Sequence, residues 1–504
     1  MTPPDPAAER VAAAAHGSLG RTVMRGIGLA GTGYVLSQML TIVSYLALAR
    51  LVTPTDFGQF AAGSLLLGLG ALLAEGGMLA ALIQRRDRLE EAASTAFFAT
   101  VAAGFMFGGL ALALSPLIGL FFGSREIALV AAAMSGWIVI RETAVVPNAL
   151  LQRRFSFVRR LVSEPASAVA FGVTAIVLAA YGLGAWALVA GTYMAVVVQA
   201  AIPWALVHWR PEWSRASFQL WRELVAYGKH ITAADVVRRV TSESGTIFVG
   251  RALGVAPLGQ YQFAYRIAQR PFAALVNSVT FVLFPAFARI ADDDARFRRA
   301  FLRSLRWLSA VAFPASFVLL PFGEPVVVLL FGEAWRDAGI ALMGMCGYTV
   351  GWAYISLAEH VGKSVGRPDV VLRLDLAAGV SVVALMGALV AFGLLGAAIA
   401  LSLSASAAAV YSFTWLVRLT GIPLRRLLRE TWPPAAAAAS MAGALLVLDR
   451  LVVQAGERAP VTGLALVALM VVAGATLYFT VLAALAPHLA RELGVTLGAR
   501  SGRR

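Results

Sequence analysis

A long internal repeat restricts what this chain can fold into more than any local pattern does. The stretch LARLVTPTDFGQF around Arg50 returns as VGRALGVAPLGQY around Arg251, and in both copies Gly-Gln and an aromatic residue follow the arginine. Two shorter matches follow in the same order: PLIGLFFG from Pro116 with PVVVLLFG from Pro325, and LGA from Leu183 with LGA from Leu395. The repeat predicts two related halves. In a membrane protein, such halves are typical of a transporter with a central site.

The composition is that of a membrane protein. Hydrophobic residues make up 59% of the 504 residues and charged residues only 14%, and the mean hydropathy of +0.77 is far above that of soluble domains. The net charge of +15 does not indicate a nucleic-acid partner, because the basic residues lie between apolar runs, where they set topology. The single cysteine, Cys346, excludes an intrachain disulfide, and five scattered histidines predict no metal site.

The apolar runs predict about fourteen membrane-spanning helices, since one span needs roughly 20 residues. They begin near residues 26, 57, 94, 127, 161, 185, 226, 258, 304, 338, 370, 396, 432 and 461. Most of the 42 lysines and arginines fall in alternate connections, which predicts that those connections and both termini are cytoplasmic. The seventh run is too polar to be a span by hydropathy alone, and a cytoplasmic surface helix is the alternative. Because its removal would invert every later connection, and because the repeat pairs it with the first run, we predict a span that faces a wet cavity.

These patterns predict an all-α integral membrane protein with two pseudo-symmetric six-helix lobes and a C-terminal helix pair. The predicted segments are a disordered cytoplasmic tail rather than a cleaved signal at 1–21, an N-terminal lobe at 22–208, an interfacial connector at 209–225, a C-terminal lobe at 226–420, the additional helix pair at 421–487 and a basic cytoplasmic tail at 488–504. The connector is predicted to lie flat in the inner interface, because Phe218, Trp221 and Leu224 share one helical face.

Charged residues inside the predicted spans are the candidate functional residues, since a charge in a bilayer usually faces a cavity. The candidates for binding an anionic diphosphate are Arg141, Arg238, Arg239, Arg266 and Arg270. Arginine suits this role because its guanidinium grips phosphate oxygens through paired hydrogen bonds. Arg266 and Arg270 lie one turn apart with no acid one turn away, whereas Arg239 lies in one row with two acids. The alternative is that these arginines pair with Glu75, Glu142 or Asp235 and only hold helices together.

Acidic residues in the spans are candidates for coupling transport to an ion, because a membrane-buried carboxylate can bind and release a proton. They are Asp235, Glu243, Glu75 and Glu359, with His360 as a further titratable group. No cofactor is predicted. The coupling ion remains open between H⁺ and Na⁺, and the membrane potential alone is a third possibility.

The repeated motif itself is interpreted as structural. Arg50 and Arg251 fall at the outer ends of their predicted helices, where arginine interacts favourably with the exposed carbonyl groups and the helix dipole. Gly58 and Gly259 are then predicted to permit a tight turn into the next helix.

Several segments together resemble a known family: LARLVTPTDFGQFA, LLQRRFSFVRR, GLGAWALVAG, WRPEWS, VGRALGVAPLGQYQFAYRI, FPAFARI and LLFGEAWRDAGIAL. From about residue 22 to 420 the chain looks like the polysaccharide-transporter family of bacterial oligosaccharide flippases, in its lipopolysaccharide and exopolysaccharide branch. The superfamily also contains the multidrug exporters and the lipid II flippase. The resemblance implies two six-helix lobes around a cationic cavity lined by spans one, two, seven and eight. It implies no invariant catalytic residues.

The function implied is a flippase of the bacterial inner membrane that moves undecaprenyl-diphosphate-linked oligosaccharides by alternating access. The expected partners are that lipid-linked glycan, membrane lipids, and the polymerase and glycosyltransferases of the same pathway. One alternative is a cation-coupled drug exporter, whose cavity should be net acidic, whereas the spans here hold five arginines against Glu75, Glu142, Asp235 and Glu243. Another is a membrane glycan polymerase or ligase, which usually needs a large periplasmic loop. A scaffold without transport is the third.

Overall fold

Every element that the computed structural model describes is a helix. The described residues are 33, 35–85, 87–153, 162–269, 287, 290, 293–365, 367, 369–487 and 489. The helices are α1 Val35–Leu51, α2 Pro54–Gly63, α3 Leu65–Glu75, α4 Met78–Gln84, α5 Leu89–Phe122, α6 Arg125–Thr143, α7 Val145–Arg153, α8 Glu164–Ala180, α9 Ala185–Leu206, α10 Phe218–Ala252, α11 255–269, α12 Asp294–Phe317, α13 Leu319–Phe331, α14 Arg336–Gly344, α15 Cys346–Ser364, α16 Asp369–Leu389, α17 Gly393–Thr420, α18 Leu424–Leu448 and α19 Pro460–Leu485.

The two halves use the same devices at equivalent points. Before α9, Gly182 has a φ of +80°, and at the first residue of α17, Gly393 has a φ of +82°. Glycine adopts this left-handed conformation without steric cost. Gly182 directly precedes the LGA segment at Leu183, and Gly393 lies two residues before the one at Leu395. The repeat in the sequence is therefore a repeat of backbone geometry at this corner.

Several long apolar stretches are broken helices rather than straight spans. The stretch Pro54–Gln84 is divided into α2, α3 and α4, and Arg125–Arg153 is divided into α6 and α7. The pairs α12–α13 and α14–α15 are bent by 48° and 46°. Among the described residues, seven stretches are long and apolar enough to cross a membrane, or nine if each bent pair is one span. The all-α fold agrees with the prediction, whereas the number fourteen and the cytoplasmic termini stay predictions.

The predicted boundary between the connector and the second lobe, at 225/226, lies inside a continuous helix. The chain is extended at 207–212, forms a short 3₁₀ turn at Trp213–Arg215 and then enters α10, which runs unbroken for 35 residues. The described helix contains no proline that would interrupt its backbone hydrogen bonds. The start of α10 is anchored by an ion pair of 2.9 Å between Glu223 and Arg85. The amphipathic part of the predicted connector and the seventh predicted run thus share one helix, α10.

The described chain forms two compact units, each assembled from separate stretches. The first contains Met1–Leu51, Leu66–Pro116 and Leu129–Ala233, and the second contains Val52–Leu65, Leu117–Ala128 and Ala234–Arg504. In the first unit, buried side chains of α4, α7 and the start of α5 form the core. In the second unit, one core joins α12, α15, α16 and α17, and another joins α18 and α19 to α12 and α13. The Tyr478 hydroxyl of α19 donates a 2.8 Å hydrogen bond to the Ala310 carbonyl of α12.

Within the second unit, the repeated glycines bring two helices into direct backbone contact. Gly58 lies inside α2 and Gly259 inside α11, so the prediction that they form turns is wrong. A Cβ atom on Gly58 would overlap the carbonyl oxygen of Val255, and one on Gly259 would overlap the carbonyl oxygen of Pro54. The turn before α2 is made instead by Thr53, whose side chain caps the helix. Arg50 and Arg251 do lie in the last turns of α1 and α10.

Candidate functional site

Two of the broken helices place charged residues at their breaks in the first unit. Glu75 is the last residue of α3, and Gly76 and Gly77 follow with φ values of +54° and +73°, which end the helix. Arg141 and Glu142 lie in the last turn of α6, directly before its break at Ala144. Breaks of this kind free backbone groups for binding when they line a cavity.

The break in α6 has a chemical cause that is visible in the sequence. Pro147 lies four residues after Thr143 and has no N–H to donate to the Thr143 carbonyl. That carbonyl instead accepts a 3.0 Å hydrogen bond from the Trp204 indole of α9. The proline therefore ends α6, and a side chain from a neighbouring helix replaces the missing backbone bond.

Arg141 joins the two breaks. Its guanidinium donates hydrogen bonds of 2.8 Å to Glu75 Oε2 and 2.5 Å to Glu142 Oε1. It also donates a 3.3 Å bond to the Ala71 carbonyl of α3. Both carboxylates therefore contact the same guanidinium. Arg141 was predicted to bind a diphosphate, but it pairs with acids, which is the alternative considered for these arginines. We call Glu75, Arg141 and Glu142 the break cluster.

The break cluster adjoins a cavity of about 70 Å³. The cavity is lined by Glu75, Leu79, Arg141, Ala144, Val145, Asn148, Val196, Gln199 and Ala200. Glu142 is 0% exposed, and its Oε2 atom has no hydrogen-bond partner. The Oδ1 atom of Asn148, which is also buried, has none either. Buried polar atoms are normally satisfied, so each of these two oxygens can accept a hydrogen bond from a donor outside the described residues.

A second group of charges lies on α10 in the second unit. Arg238 forms an ion pair of 3.1 Å with Asp375 of α16 and one of 3.7 Å with Asp235 of its own helix. The Asp375 side chain is 10% exposed, whereas that of Arg238 is 51% exposed. Arg238 therefore links two helices while much of its guanidinium stays accessible.

Arg239 and Glu243 form a separate pair on the same helix. Their side chains are 2.9 Å apart, as the i, i+4 spacing predicts. Glu243 also accepts a 3.0 Å hydrogen bond from the Thr246 hydroxyl. The Arg239 side chain is 40% exposed, although its Nε atom is buried without a partner. The acid thus neutralises part of the charge and leaves the arginine accessible.

The remaining predicted residues lie on α11 and α15, or outside the described residues. Arg266 is half-buried on α11, where the neighbouring Tyr265 hydroxyl accepts a 2.7 Å hydrogen bond from Gln269. Glu359 of α15 is 3.5 Å from Lys363, and His360 bonds the Ser356 carbonyl at 2.7 Å. Arg270 falls outside the described residues. The described part of the chain shows no group of three or more potential metal ligands.

Residues 47–339 match the family of polysaccharide biosynthesis proteins. The match covers more than half of the chain and includes both copies of the repeated motif, the break cluster and the charged residues of α10. The chain belongs to this family. Its relatives include the succinoglycan biosynthesis transport protein ExoT of Rhizobium meliloti (strain 1021), 28% identical over 321 residues, and the lipopolysaccharide biosynthesis protein WzxC of Escherichia coli (strain K12), 26% identical over 357 residues. The match to ExoT covers 63% of this chain and 64% of ExoT, and the match to WzxC covers 69% and 70%.

Solved structures with the same fold are membrane transporters. The lipid II flippase MurJ in an inward closed conformation has a TM-score of 0.71 at 13% identity, covering 90% of this chain and 99% of MurJ. An inward-facing multidrug transporter of the MATE family in the MOP superfamily has a TM-score of 0.61 at 16% identity, covering 77% and 98%. At these identities the likeness shows the fold, which confirms the predicted fold class. The family and the apolar spans also confirm a multi-pass protein of the bacterial inner membrane.

Structural inspection adds two residues to the sequence-based candidates. Asp375 was not predicted as a partner of Arg238, because 137 residues separate them and no spacing rule connects different helices. Asn148 was not predicted because an uncharged amide in an apolar run carries no electrostatic signal. Pro147, one residue earlier, is the only local signal of a break here within the described stretch 144–153.

Proposed function

We propose that this protein is a flippase that moves undecaprenyl-diphosphate-linked oligosaccharides across the bacterial inner membrane. The observation that carries the proposal is the pair of accessible arginines, Arg238 and Arg239, on a span-length helix of a chain in the polysaccharide biosynthesis family. A neutral solute would not need them. A diphosphate uses both, since two guanidinium groups can grip its oxygens through paired hydrogen bonds.

Capture of the diphosphate requires that Arg238 exchange its protein partners for phosphate. The exposed pair with Asp235 is inexpensive to break, at about 0.2–1 kcal/mol. Release of Asp375 costs more, because its side chain is 10% exposed and its carboxylate is left without the arginine. Charge-assisted hydrogen bonds to a phosphate contribute about 1.5–3 kcal/mol. Alternating access then turns the loaded cavity to the other side, while the sugar stays in the wet interior and the lipid tail stays in the bilayer. Arg266 and Arg270 extend the proposed diphosphate site along the next span.

An energy source must drive the cycle in one direction. We propose that buried or half-buried carboxylates couple transport to H⁺ or Na⁺, or that the membrane potential acts on the charged cargo. The candidates stay those predicted from the sequence, namely Asp235, Glu243, Glu75 and Glu359, and Asp375 is added because it contacts Arg238. No cofactor enters the proposed cycle. The polymerase and glycosyltransferases of the same pathway are the proposed protein partners.

Transport rather than glycan synthesis is proposed because the connections on the predicted outer side are short. Within the described residues, α5 and α6 are joined by residues 123–124, and α8 and α9 by residues 181–184. Such turns leave no room for a separate catalytic domain. The name of ExoT as a transport protein supports the same view. A glycan polymerase would instead alter the length of the product, which the following experiment also measures.

The test is export in a bacterial strain that lacks its own flippase and depends on this protein. Arg238→Ala and Arg239→Ala should each reduce surface polysaccharide roughly tenfold, since one charge-assisted interaction of about 1.4 kcal/mol or more is lost. Arg450→Ala, at an exposed arginine after α18, is the matched control and should export normally. The lipid-linked repeat unit should accumulate inside cells carrying the variants. Unchanged export at normal protein levels removes these arginines from the mechanism, and normal export of shorter chains favours the polymerase.

A further inference from the structure

The break cluster holds an uneven set of charges in an apolar place. Arg141 is the cation for both Glu75 and Glu142, so the cluster has an excess negative charge when both acids are ionised. Glu142 is the acid that lies fully out of solvent. An uncompensated charge in such a place is costly, and a buried acid therefore tends to take up a proton or to recruit a cation.

The hydrogen bonds of Glu142 indicate where a proton would lie. Oε1 accepts from Arg141, whereas Oε2 has no partner. The two partners in the break cluster, Glu75 and Arg141, line the cavity together with Asn148, whose Oδ1 also lacks a donor. The cavity of about 70 Å³ is large enough for a few water molecules. One carboxylate oxygen is thus held by the arginine and the other is available.

The surroundings of Glu142 determine which cation fits. Among the described residues of the packed helices, α3 contributes Glu75 and α6 contributes Arg141, while α7 and α9 present the neutral Asn148 and Gln199. On α5, Gly104 lies against the Cβ and Cγ atoms of Glu142. A metal ion bound between the two carboxylates would meet the guanidinium that already joins them. A proton adds to the free oxygen without displacing Arg141.

We propose that Glu142 is a proton-binding group of this protein, in addition to the carboxylates already proposed for coupling. The ionised carboxylate accepts a proton from hydronium at Oε2 and becomes a neutral acid, and on release the proton returns to water. While Glu142 is neutral, Arg141 and Glu75 form a balanced pair across the breaks of two helices. When Glu142 is ionised, the two acids compete for one guanidinium. Protonation therefore changes the force that holds α3 to α6, and the use of this change to drive transport rests on the proposed flippase activity.

Infrared spectroscopy of the full-length protein in lipid vesicles tests proton binding without any cargo. The carbonyl stretch of a protonated carboxyl group should be present near neutral pH in the unaltered protein and missing there in Glu142→Gln, because exposed carboxyl groups stay ionised at that pH. Asp449→Asn is the matched control, because Asp449 is also buried but already accepts a 3.1 Å hydrogen bond from the Ala455 N–H. This variant should keep the band. Glu75→Gln should weaken the band at neutral pH, because Arg141 then serves Glu142 alone.

The outcomes separate this proposal from others. A band near neutral pH that persists in Glu142→Gln, or an unaltered protein with no such band near neutral pH, overturns it. A second outcome would replace the proton with a metal ion. In it, Na⁺ stabilises the protein more than choline does at fixed pH, Glu142→Gln abolishes this effect, and no protonated carboxyl group is detected. The Glu75→Gln variant retains Glu142. A weaker carbonyl band in that variant therefore tests whether the band belongs to Glu142, even if Glu142→Gln does not fold.

Coupling is tested separately in cells that depend on the protein for export. Collapsing the pH gradient removes a certain amount of export from the unaltered protein. Glu142→Gln should lose at least half of that amount even with the gradient intact, whereas Asp449→Asn should export as the unaltered protein does. An infrared band assigned to Glu142 together with export that ignores the pH gradient overturns coupling and leaves the proton site standing. Absence of glycan export in the unaltered protein would refute the proposed function and leave the infrared result intact.

Discussion

Gly259 lies on α11 directly against the backbone of α2, with no side chain between the two helices. A methyl group at this position would overlap the Pro54 carbonyl oxygen and approach the Gly58 amide nitrogen to 2.9 Å. Both obstacles are backbone atoms of a helix, which cannot move aside as the end of a flexible side chain can. Aromatic rings from both helices pack on Trp335 next to this contact. The centroid of the Trp335 ring lies 4.2 Å from that of Phe263 on α11 and 5.4 Å from that of Phe57 on α2.

Gly259→Ala should therefore destabilise the protein by about 1–3 kcal/mol, the usual cost of forcing extra volume into a packed contact. Gly443→Ala is the control. Gly443 lies in the middle of α18, and nothing lies within 4 Å of an added methyl group, so alanine there should be neutral or favourable by up to about 1 kcal/mol. Thermal unfolding in detergent measures both, and equal melting temperatures for the two variants would contradict the close contact.

The same position shows a limit of local sequence reasoning. A glycine before a predicted helix is typical of a turn, and the spacing from Arg251 favoured that interpretation of Gly259. The structure shows that Thr53 and Pro54 make the turn in the first copy, and that the glycines serve a contact between helices. A contact between residues so far apart, such as Gly259 and Pro54, leaves no trace in local spacing, except that both copies of the repeat keep it.

At the scale of helices, hydropathy and charge predict where an apolar stretch lies better than where it breaks. The sixth predicted span begins at residue 185, as α9 does. The break in α6 follows from Pro147, and the break after Glu75 follows from two glycines, so both had a signal in the sequence. The continuity of α10 through residue 225 had no signal in the sequence. An interfacial helix and a membrane span differ in their surroundings rather than in backbone propensity.

The pairing of α10 with α16 leads to a prediction at this scale. Asp375→Asn should lower stability by at most about 1 kcal/mol, because Arg238 is half exposed and can be solvated when its partner is removed. Combining Arg238→Asp with Asp375→Arg should restore the pair and the stability. If the arginine on α10 binds cargo, the swapped protein should still fail to export. Full export by the swapped protein would mean that the pair only joins the two helices.

At the scale of the whole molecule, the distribution of basic residues predicts a topology that cysteine labelling can test. The chain has one cysteine, Cys346, so a Cys346→Ala background is simple to make. Tyr181 and Phe392 are the exposed residues before the two equivalent glycine corners, and both are predicted to face outward. Ser214, exposed in the turn before α10, is predicted to face the cytoplasm.

In intact cells, an impermeant maleimide should label Tyr181→Cys and Phe392→Cys but not Ser214→Cys. Ser214→Cys should become reactive when the membrane is opened. The comparison of residues 181 and 392 decides whether α10 crosses the bilayer. The predicted topology has an even number of crossings between them, so both face the same side. If α10 does not cross, the number becomes odd and the two residues face opposite sides. Labelling of 181 without 392 would contradict the predicted span and the fourteen-helix topology.

The contact between α2 and α11 also bears on how the two halves can change during evolution. Gly58 meets residue 255 and Gly259 meets residue 54, so the same two positions of the repeat build the contact twice. A bulkier residue in one copy widens the crossing and loosens the other copy as well. Neither copy is free to drift alone. This shared constraint accounts for the similarity of the motif in the two halves. The charged residues of α10 and of the break cluster are under no such shared constraint and differ between the halves.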